Sequence, residues 1–335
     1  MGAAIAVRDQ AEGFAMKMKL LGVAAVLALL GSASQGYAQN TGFVYNGGVY
    51  NFFNISPPTT TYALGVNNGG QIVGFYGSTG FLYSGGVYNN LNDPQASNPF
   101  GTTARGINDS GQIVGSYFDG TSTQGFLYSG GTYNNFNAPL AGTSSMQGTL
   151  PNDINNSGQI VGYYIDSSFI YHGFTDTNGM YTAFDAPLAG TTAFTGTFAH
   201  GVNDTGQIVG FAVGPTGTHG FLDVGDVYTP LDFPSADATY AFDINNLGDI
   251  VGAYLLGGGV HGFKYSGGIY TSMDAPGASS TYAATNNDLG EIVGYAILPE
   301  TPLPAALPLF ATGLGALGLL GWRRKRKGAA AIAAA

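Results

Sequence analysis

The fold turns on one stretch, Ala104-Arg105-Gly106-Ile107-Asn108-Asp109-Ser110-Gly111-Gln112-Ile113-Val114-Gly115-Ser116-Tyr117, and on its sequel Gly125-Phe126-Leu127-Tyr128-Ser129-Gly130-Gly131-Thr132-Tyr133-Asn134-Asn135-Phe136. In the first part Asn108-Asp109-Ser110-Gly111 is hairpin chemistry. Asn and Asp open a type I turn, and Gly supplies the left-handed residue that completes the bulge. The flanking runs therefore read as paired strands. In the second part Ser129-Gly130-Gly131 separates two aromatic-alternating runs, which again signals a hairpin. One unit thus holds four short antiparallel strands.

Both phrases recur along the chain. The turn begins at Asn67, Asn108, Asn155, Asn203, Asn245 and Asn287, and its glycines are Gly70, Gly111, Gly158, Gly206, Gly248 and Gly290. An Ile-Val-Gly follows each turn. The Gly-Phe phrase begins at Gly42, Gly80, Gly125, Gly173, Gly220 and Gly262, in steps of 38, 45, 48, 47 and 42 residues. Fixed phrases at variable spacing put the insertions in loops. No stretch between them keeps a 3.6-residue period with helix caps, so helix is not expected there.

Four strands in a unit of this length are the signature of a β-propeller blade. The long connection after each aromatic hairpin, such as 137–150, suits travel from an outer edge to the next inner strand. The chain then opens with half a blade, 42–54, and closes with the complementary half, 281–296. The expected fold is all-β, a six-bladed β-propeller of four-stranded antiparallel blades: five whole blades and one composite closing blade. Closure removes exposed edges. An open β-solenoid also accommodates the repeats, but it predicts shorter, more uniform coils and no half-units. Inner strands such as Thr61-Tyr62-Ala63-Leu64-Gly65-Val66-Asn67 share small residues that suit crowding at an axis.

Composition narrows the classes. The 335 residues include 55 Gly, 21 Tyr and 21 Phe but no Cys, and only 9 % are charged. The missing Cys excludes disulfide scaffolds and zinc-thiolate sites, and so many aromatics exclude disorder. Between Gln39 and Glu300 stand 18 acidic residues against Arg105 and Lys264 alone. Such a surface repels phosphate backbones, so nucleic acid is not a partner.

The two ends are addresses. Lys17 and Lys19 precede the apolar run 20–30, and small residues at Gly36 and Ala38 fit a cleavage site, so 1–38 reads as a signal peptide region with the mature chain starting at Gln39. The repeat body occupies 39–297 and a C-terminal segment 298–335. Within that segment, 304–322 is uncharged and long enough for one transmembrane helix. The basic tail 323–327 holds its own end in the cytoplasm.

The segment Pro299-Glu300-Thr301-Pro302-Leu303-Pro304-Ala305, the span and the basic residues from Arg323 and Arg324 onward resemble the C-terminal sorting signal of PEP-CTERM proteins, in its Val-Pro-Leu-Pro-Ala variant, with Thr301 in place of Val. The resemblance covers about the last 30 residues. It implies processing by an exosortase-type membrane transpeptidase in a Gram-negative, exopolysaccharide-producing bacterium, after removal of the leader by signal peptidase. Leu298-Pro299-Glu300-Thr301 also looks like a sortase signal, except that Pro302 stands where that family has Gly. The repeats of 42–297 resemble the extracellular repeat family named for its His-Ala-Phe motif. That likeness implies secretion rather than an activity.

The chemical inventory is short. His172, His219 and His261 precede Gly-Phe in three units, which raises a metal reading; in a propeller, equivalent residues are spread round the ring, which favours structural partners. His200 lies on an inner strand with no identifiable Ser or Cys partner. Asp153-x-Asn155 and Asp243-x-Asn245 partly match calcium loops but lack the distal Glu. The repeated Asn residues are expected to cap their own turns, with the edge of a central channel as the alternative. A sialidase-like site needs clustered Arg, and the body has Arg105 alone. The expectation is a noncatalytic surface protein without cofactor or metal, a structural, adhesion or glycan-binding component of an exopolysaccharide matrix; the alternative is a polysaccharide-cleaving enzyme with axial carboxylates.

Overall fold

The computed structural model describes residues 39–56, 59–98 and 100–299; the expected signal peptide, the sorting residues Glu300, Pro302, Pro304, Arg323 and Arg324, and the membrane span lie outside them. The described residues contain strands and turns and no helix. β1 (Gln39–Asn46) and β2 (Val49–Phe53) come first. Five runs of four follow. They are β3 (Thr61–Val66), β4 (Ile72–Tyr76), β5 (Thr79–Ser84) and β6 (Val87–Leu91), then β7 (Thr102–Ile107), β8 (Ile113–Phe118), β9 (Thr123–Ser129) and β10 (Thr132–Phe136). Next are β11 (Gly148–Ile154), β12 (Gln159–Ile165), β13 (Tyr171–Thr177) and β14 (Met180–Phe184), and β15 (Gly196–Val202), β16 (Ile208–Gly214), β17 (Gly217–Asp223) and β18 (Tyr228–Leu231). The last run is β19 (Ala238–Ile244), β20 (Ile250–Leu256), β21 (Gly259–Ser266) and β22 (Ile269–Met273), and β23 (Ser280–Asn286) and β24 (Ile292–Leu298) end the series.

Within each run the strands pair antiparallel in chain order. The two ends meet as the half-units require. β1 lies antiparallel to β24, with Gly42 opposite Tyr295 and Phe43 opposite Gly294, so β23, β24, β1 and β2 form the sixth sheet. Leu298, assigned by sequence to the terminal segment, belongs to β24 and faces Gln39. The architecture is a six-bladed β-propeller.

Each repeated residue has a packing reason. The Phe of every Gly-Phe phrase is at most 4 % exposed, and burial of one such side chain contributes about 1.5–3 kcal/mol. It lies opposite the Gly of Ile-Val-Gly, as in Gly210 with Phe221. A Cβ on Gly210 would sit 2.1 Å from the Phe198 carbonyl oxygen and 2.8 Å from the Phe221 ring, so only glycine fits. A buried Thr opens each inner strand and staples the incoming connection: the hydroxyls of Thr102, Thr149, Thr197 and Thr281 accept from the backbone N–H of Asp93, Ala138, Ala186 and Ala275 at 2.8–2.9 Å.

Candidate functional site: the axial cavity

The six Asn-x-x-Gly turns meet at one end of the axis. Their glycines have φ between +68° and +84°, the left-handed conformation that the turn needs. In each turn the Asn Oδ1 accepts the N–H four residues on, for example Gln71 to Asn67 at 3.0 Å. The expected cap is therefore present, but the same side chain has a second task. Its Nδ2 donates to the backbone carbonyl of the equivalent Asn in the next blade, from Asn67 to Asn108, Asn155, Asn203, Asn245, Asn287 and back to Asn67, at 3.0–3.3 Å.

A second ring is made by the following residue of each turn. These residues alternate: Asn68, Asp109, Asn156, Asp204, Asn246 and Asp288. Each backbone N–H donates to the next side chain at 2.7–2.9 Å. Each Asn amide also donates to the carboxylates on both sides. Such alternation closes only with an even number of blades, because an odd ring would set two like residues side by side.

Below the rings, every inner strand carries a β-bulge at the same place. The pairing register skips one residue between Ala63 and Gly65, and equivalently in the other five units. The inserted residues are Leu64, Arg105, Asn152, His200, Phe242 and Ala284. A bulge turns its extra residue out of the alternation, and all six line a cavity of about 160 Å³ on the axis. The expected crowding of small residues at the axis is thus half corrected. The alanines, such as Ala63 and Ala104, are fully buried in the cores between blades, while the bulge presents larger side chains to the axis. Crowding occurs at the glycine after the bulge: a Cβ on Gly201 would lie 2.6 Å from Asp243 Cα in the next blade.

At the position of Gly65, Gly106 and Gly201 two units carry Asp and one Thr. Asp153 Oδ2 accepts from Val202 N–H at 2.9 Å. Asp243 accepts from Ile244 N–H, Asn286 N–H and the Thr285 hydroxyl at 2.6–2.9 Å. These are the half-matched calcium turns, and their carboxyls serve the neighbouring blade. Burial, reinforced by Asp243, pushes the Asp153 carboxyl up to about 8; burial raises Asp243 likewise. His200 stacks on Phe211 with ring centres 5.2 Å apart and lies 5.3 Å from Phe242. Burial, with the Arg105 charge, lowers it to about 3, so it is neutral. Tyr62, Phe75 and Tyr295 make an aromatic wall, with Tyr62 stacked on Phe75 at 4.5 Å and edge-on to Tyr295 at 4.9 Å. Three polar atoms among the lining residues are buried without a partner: Arg105 Nε, Asn152 Oδ1 and Asn286 Oδ1.

The three sequence-equivalent histidines are not part of this site. His172, His219 and His261 each place Nδ1 3.0 Å from an Asp thirteen residues on, Asp185, Asp232 and Asp274. Among the described residues no cluster of three or more His or carboxylate groups is placed to hold a metal ion. The turn Asn residues, His200, Asp153 and Asp243, singled out from the sequence, all line the cavity, whereas Leu64, Asn152, Phe242 and Ala284 were not recognised as its lining, although one signal was available. The inner strands share their opening Thr and closing Asn, and five of six have Ala before the bulge, but at the bulge all six differ.

No family model matches the chain, and no curated protein matches it in sequence. Among solved structures it is similar to the fucose-specific lectin of Aleuria aurantia, described as a six-bladed β-propeller. That match has 13 % identity and a TM-score of 0.40, covering 73 % of this chain and 97 % of the lectin. It is also similar to a triple mutant of AofleA from Arthrobotrys oligospora, at 12 % identity and TM-score 0.43, covering 78 % of this chain and 85 % of that one. At these values the likeness assigns no ligand.

Proposed function

We propose that the chain is a noncatalytic, surface-directed carbohydrate-binding protein whose site is the axial cavity. The bulge layer carries this reading. Six units that share their turns, Gly-Phe pairs and threonine staples carry six different residues at the bulge that faces the axis. A scaffold has no use for six different side chains there, whereas an asymmetric ligand does. Aromatic walls with a few isolated polar groups are the usual make-up of a small-molecule site.

The leader-like 1–38 region and the resemblance of the C-terminal segment to a sorting signal support a place at the surface of a Gram-negative bacterium. There the protein serves as a structural, adhesion or glycan-binding component of the exopolysaccharide matrix. Signal peptidase and an exosortase-type transpeptidase are its processing partners, and the membrane holds the C-terminal span before processing.

A second reading, a polysaccharide-cleaving hydrolase or lyase, is favoured by one observation: Asp153 and Asp243 both line the cavity, and Asp153 stays protonated at neutral pH, as a general acid must. Against it, backbone donors already occupy both carboxyls. A glycan array and a reducing-end assay on the full chain separate the two. Binding without turnover supports the first reading. Turnover that Asp153→Asn abolishes while binding persists replaces it with the second.

A further inference from the structure

The repeat body has two basic side chains, and the fold treats them differently. Lys264 Nζ lies 2.6 Å from the Asp249 carboxylate. Arg105 faces the axial cavity from its bulge, makes no ion pair or hydrogen bond among the described residues, and has a buried, unpartnered Nε. A guanidinium is a permanent cation with a planar fork of donors. The residue is partly exposed and only its Nε is shut off from solvent, so the remaining donors of the fork are open to the cavity and suited to an anion.

The surroundings define that anion further. His200 is neutral and adds no second cation, which gives room for one negative group. Burial raises both Asp153 and Asp243, and the carboxylates of Asp109, Asp204 and Asp288, which also line the cavity, are engaged by the amides of Asn68, Asn156 and Asn246. Asn152 Oδ1 and Asn286 Oδ1 are acceptors awaiting donors such as hydroxyl groups. Tyr62, Phe242 and Tyr295 offer apolar faces. The cavity, about 160 Å³, matches in scale an engineered cavity of ~150 Å³ that admits one benzene ring. Among the lining residues Arg105 is the one permanent cation.

We propose that the axial cavity takes a carboxylated pyranose, a sugar residue of the uronic acid type, with its carboxylate on the Arg105 guanidinium, its hydroxyls toward Asn152 and Asn286, and its ring against the aromatic wall. This rests on the carbohydrate reading above and adds the charge of the sugar.

Calorimetric titration of the full chain with glucuronate, glucose and cyclohexanecarboxylate tests it. Glucuronate is expected to bind at least tenfold tighter than either of the others. Its affinity should fall with added salt, and Arg105→Gln should reduce it to the level of glucose with an unchanged circular dichroism spectrum. Where that variant does not fold, the ranking of the three ligands on the native chain and the salt dependence decide. Glucose binding as tightly as glucuronate would overturn the charge assignment and leave the carbohydrate reading standing. Cyclohexanecarboxylate binding as tightly as glucuronate, with glucose silent, would overturn the sugar and with it that reading. Silence with all three overturns the proposed ligand, and the glycan array then tests the carbohydrate reading by itself.

Discussion

The side-chain amide of Asn287 donates to the backbone carbonyl of Asn67 at 3.1 Å, across 220 residues of chain. It is the sixth link of a ring whose other five join neighbouring repeats, and with the pairing of β1 and β24 it turns a row of blades into a closed body. Removing the side chain takes one of two donors from the Asn67 carbonyl, which keeps the Gly70 N–H, and leaves the N–H groups of Leu289 and Glu291 without their acceptor, which costs about 1–3 kcal/mol. Asn287→Ala should therefore lower the melting temperature, and Asn155→Ala, within the row, should lower it by a similar amount. A closing link that melts no differently from the native chain would mean that the ring is open in solution.

Asp153 and His200 pull stability in opposite directions with pH. Asp153 is raised to about 8 when folded, so the folded state binds the extra proton, and stability falls as pH rises from about 4, the unfolded value, to 8. His200 is lowered to about 3, so the unfolded state binds the extra proton and stability is lost as pH drops below about 6.5. Above that value Asp153 acts without its counterweight. Asp153→Asn keeps the acceptor for Val202 and removes the charge. It should raise the melting temperature at pH 8 and change it much less at pH 5. Equal effects at both values would show that the carboxyl is not protonated in the fold.

Acid should also loosen the Asn–Asp ring. Burial opposes the charge of Asp288, but the hydrogen bonds from Asn246 and Asn68 outweigh it and hold the carboxyl below its ordinary range. Its contribution is complete above about pH 4 and disappears as pH falls through the lowered value. Asp288→Asn removes this dependence but sets three amide side chains in succession, so the variant should melt lower at pH 7. A variant as stable as the native chain at pH 7 would show that the alternation carries no energy.

Gly210→Ala tests the blade interior. The added methyl would meet a carbonyl oxygen at 2.1 Å, and overpacking of this kind costs about 1–3 kcal/mol or more. A melting temperature within 1 °C of the native value would contradict the close strand approach.

Much of this architecture was legible because four strands per repeat and half-units at the two ends leave few ways to close the sheets. The Asn turns, the aromatic hairpins and the composite blade all follow from local chemistry repeated six times. The cavity was harder to see, since a bulge inverts the alternation from which strand faces are read. Leu64 and Phe242 look like core residues until the register skips, and the lone Arg105 looks like a surface charge. Asp153 and Asp243 resemble turn ligands because their neighbours Asn155 and Asn245 are turn residues. Only the next blade, which supplies Val202 and Asn286, reveals their direction. The histidines also needed the fold, because each partner lies thirteen residues away on the far side of a hairpin.

Those histidine pairs give a further test of the metal reading. His219 and Asp232 are both partly exposed, and pairs of this kind contribute about 0–1 kcal/mol. His219→Asn should shift melting only slightly, and chelator treatment should leave it unchanged. A drop of several degrees on chelation would restore a metal to the outer edge.

The axial site is tested most directly by a crystal structure of the chain soaked with glucuronate. The account predicts one sugar ring on the axis, its carboxylate within hydrogen-bonding distance of the Arg105 guanidinium and its ring against Tyr62, Phe242 or Tyr295. An empty axis with the sugar seated between blades or on an outer edge would contradict it.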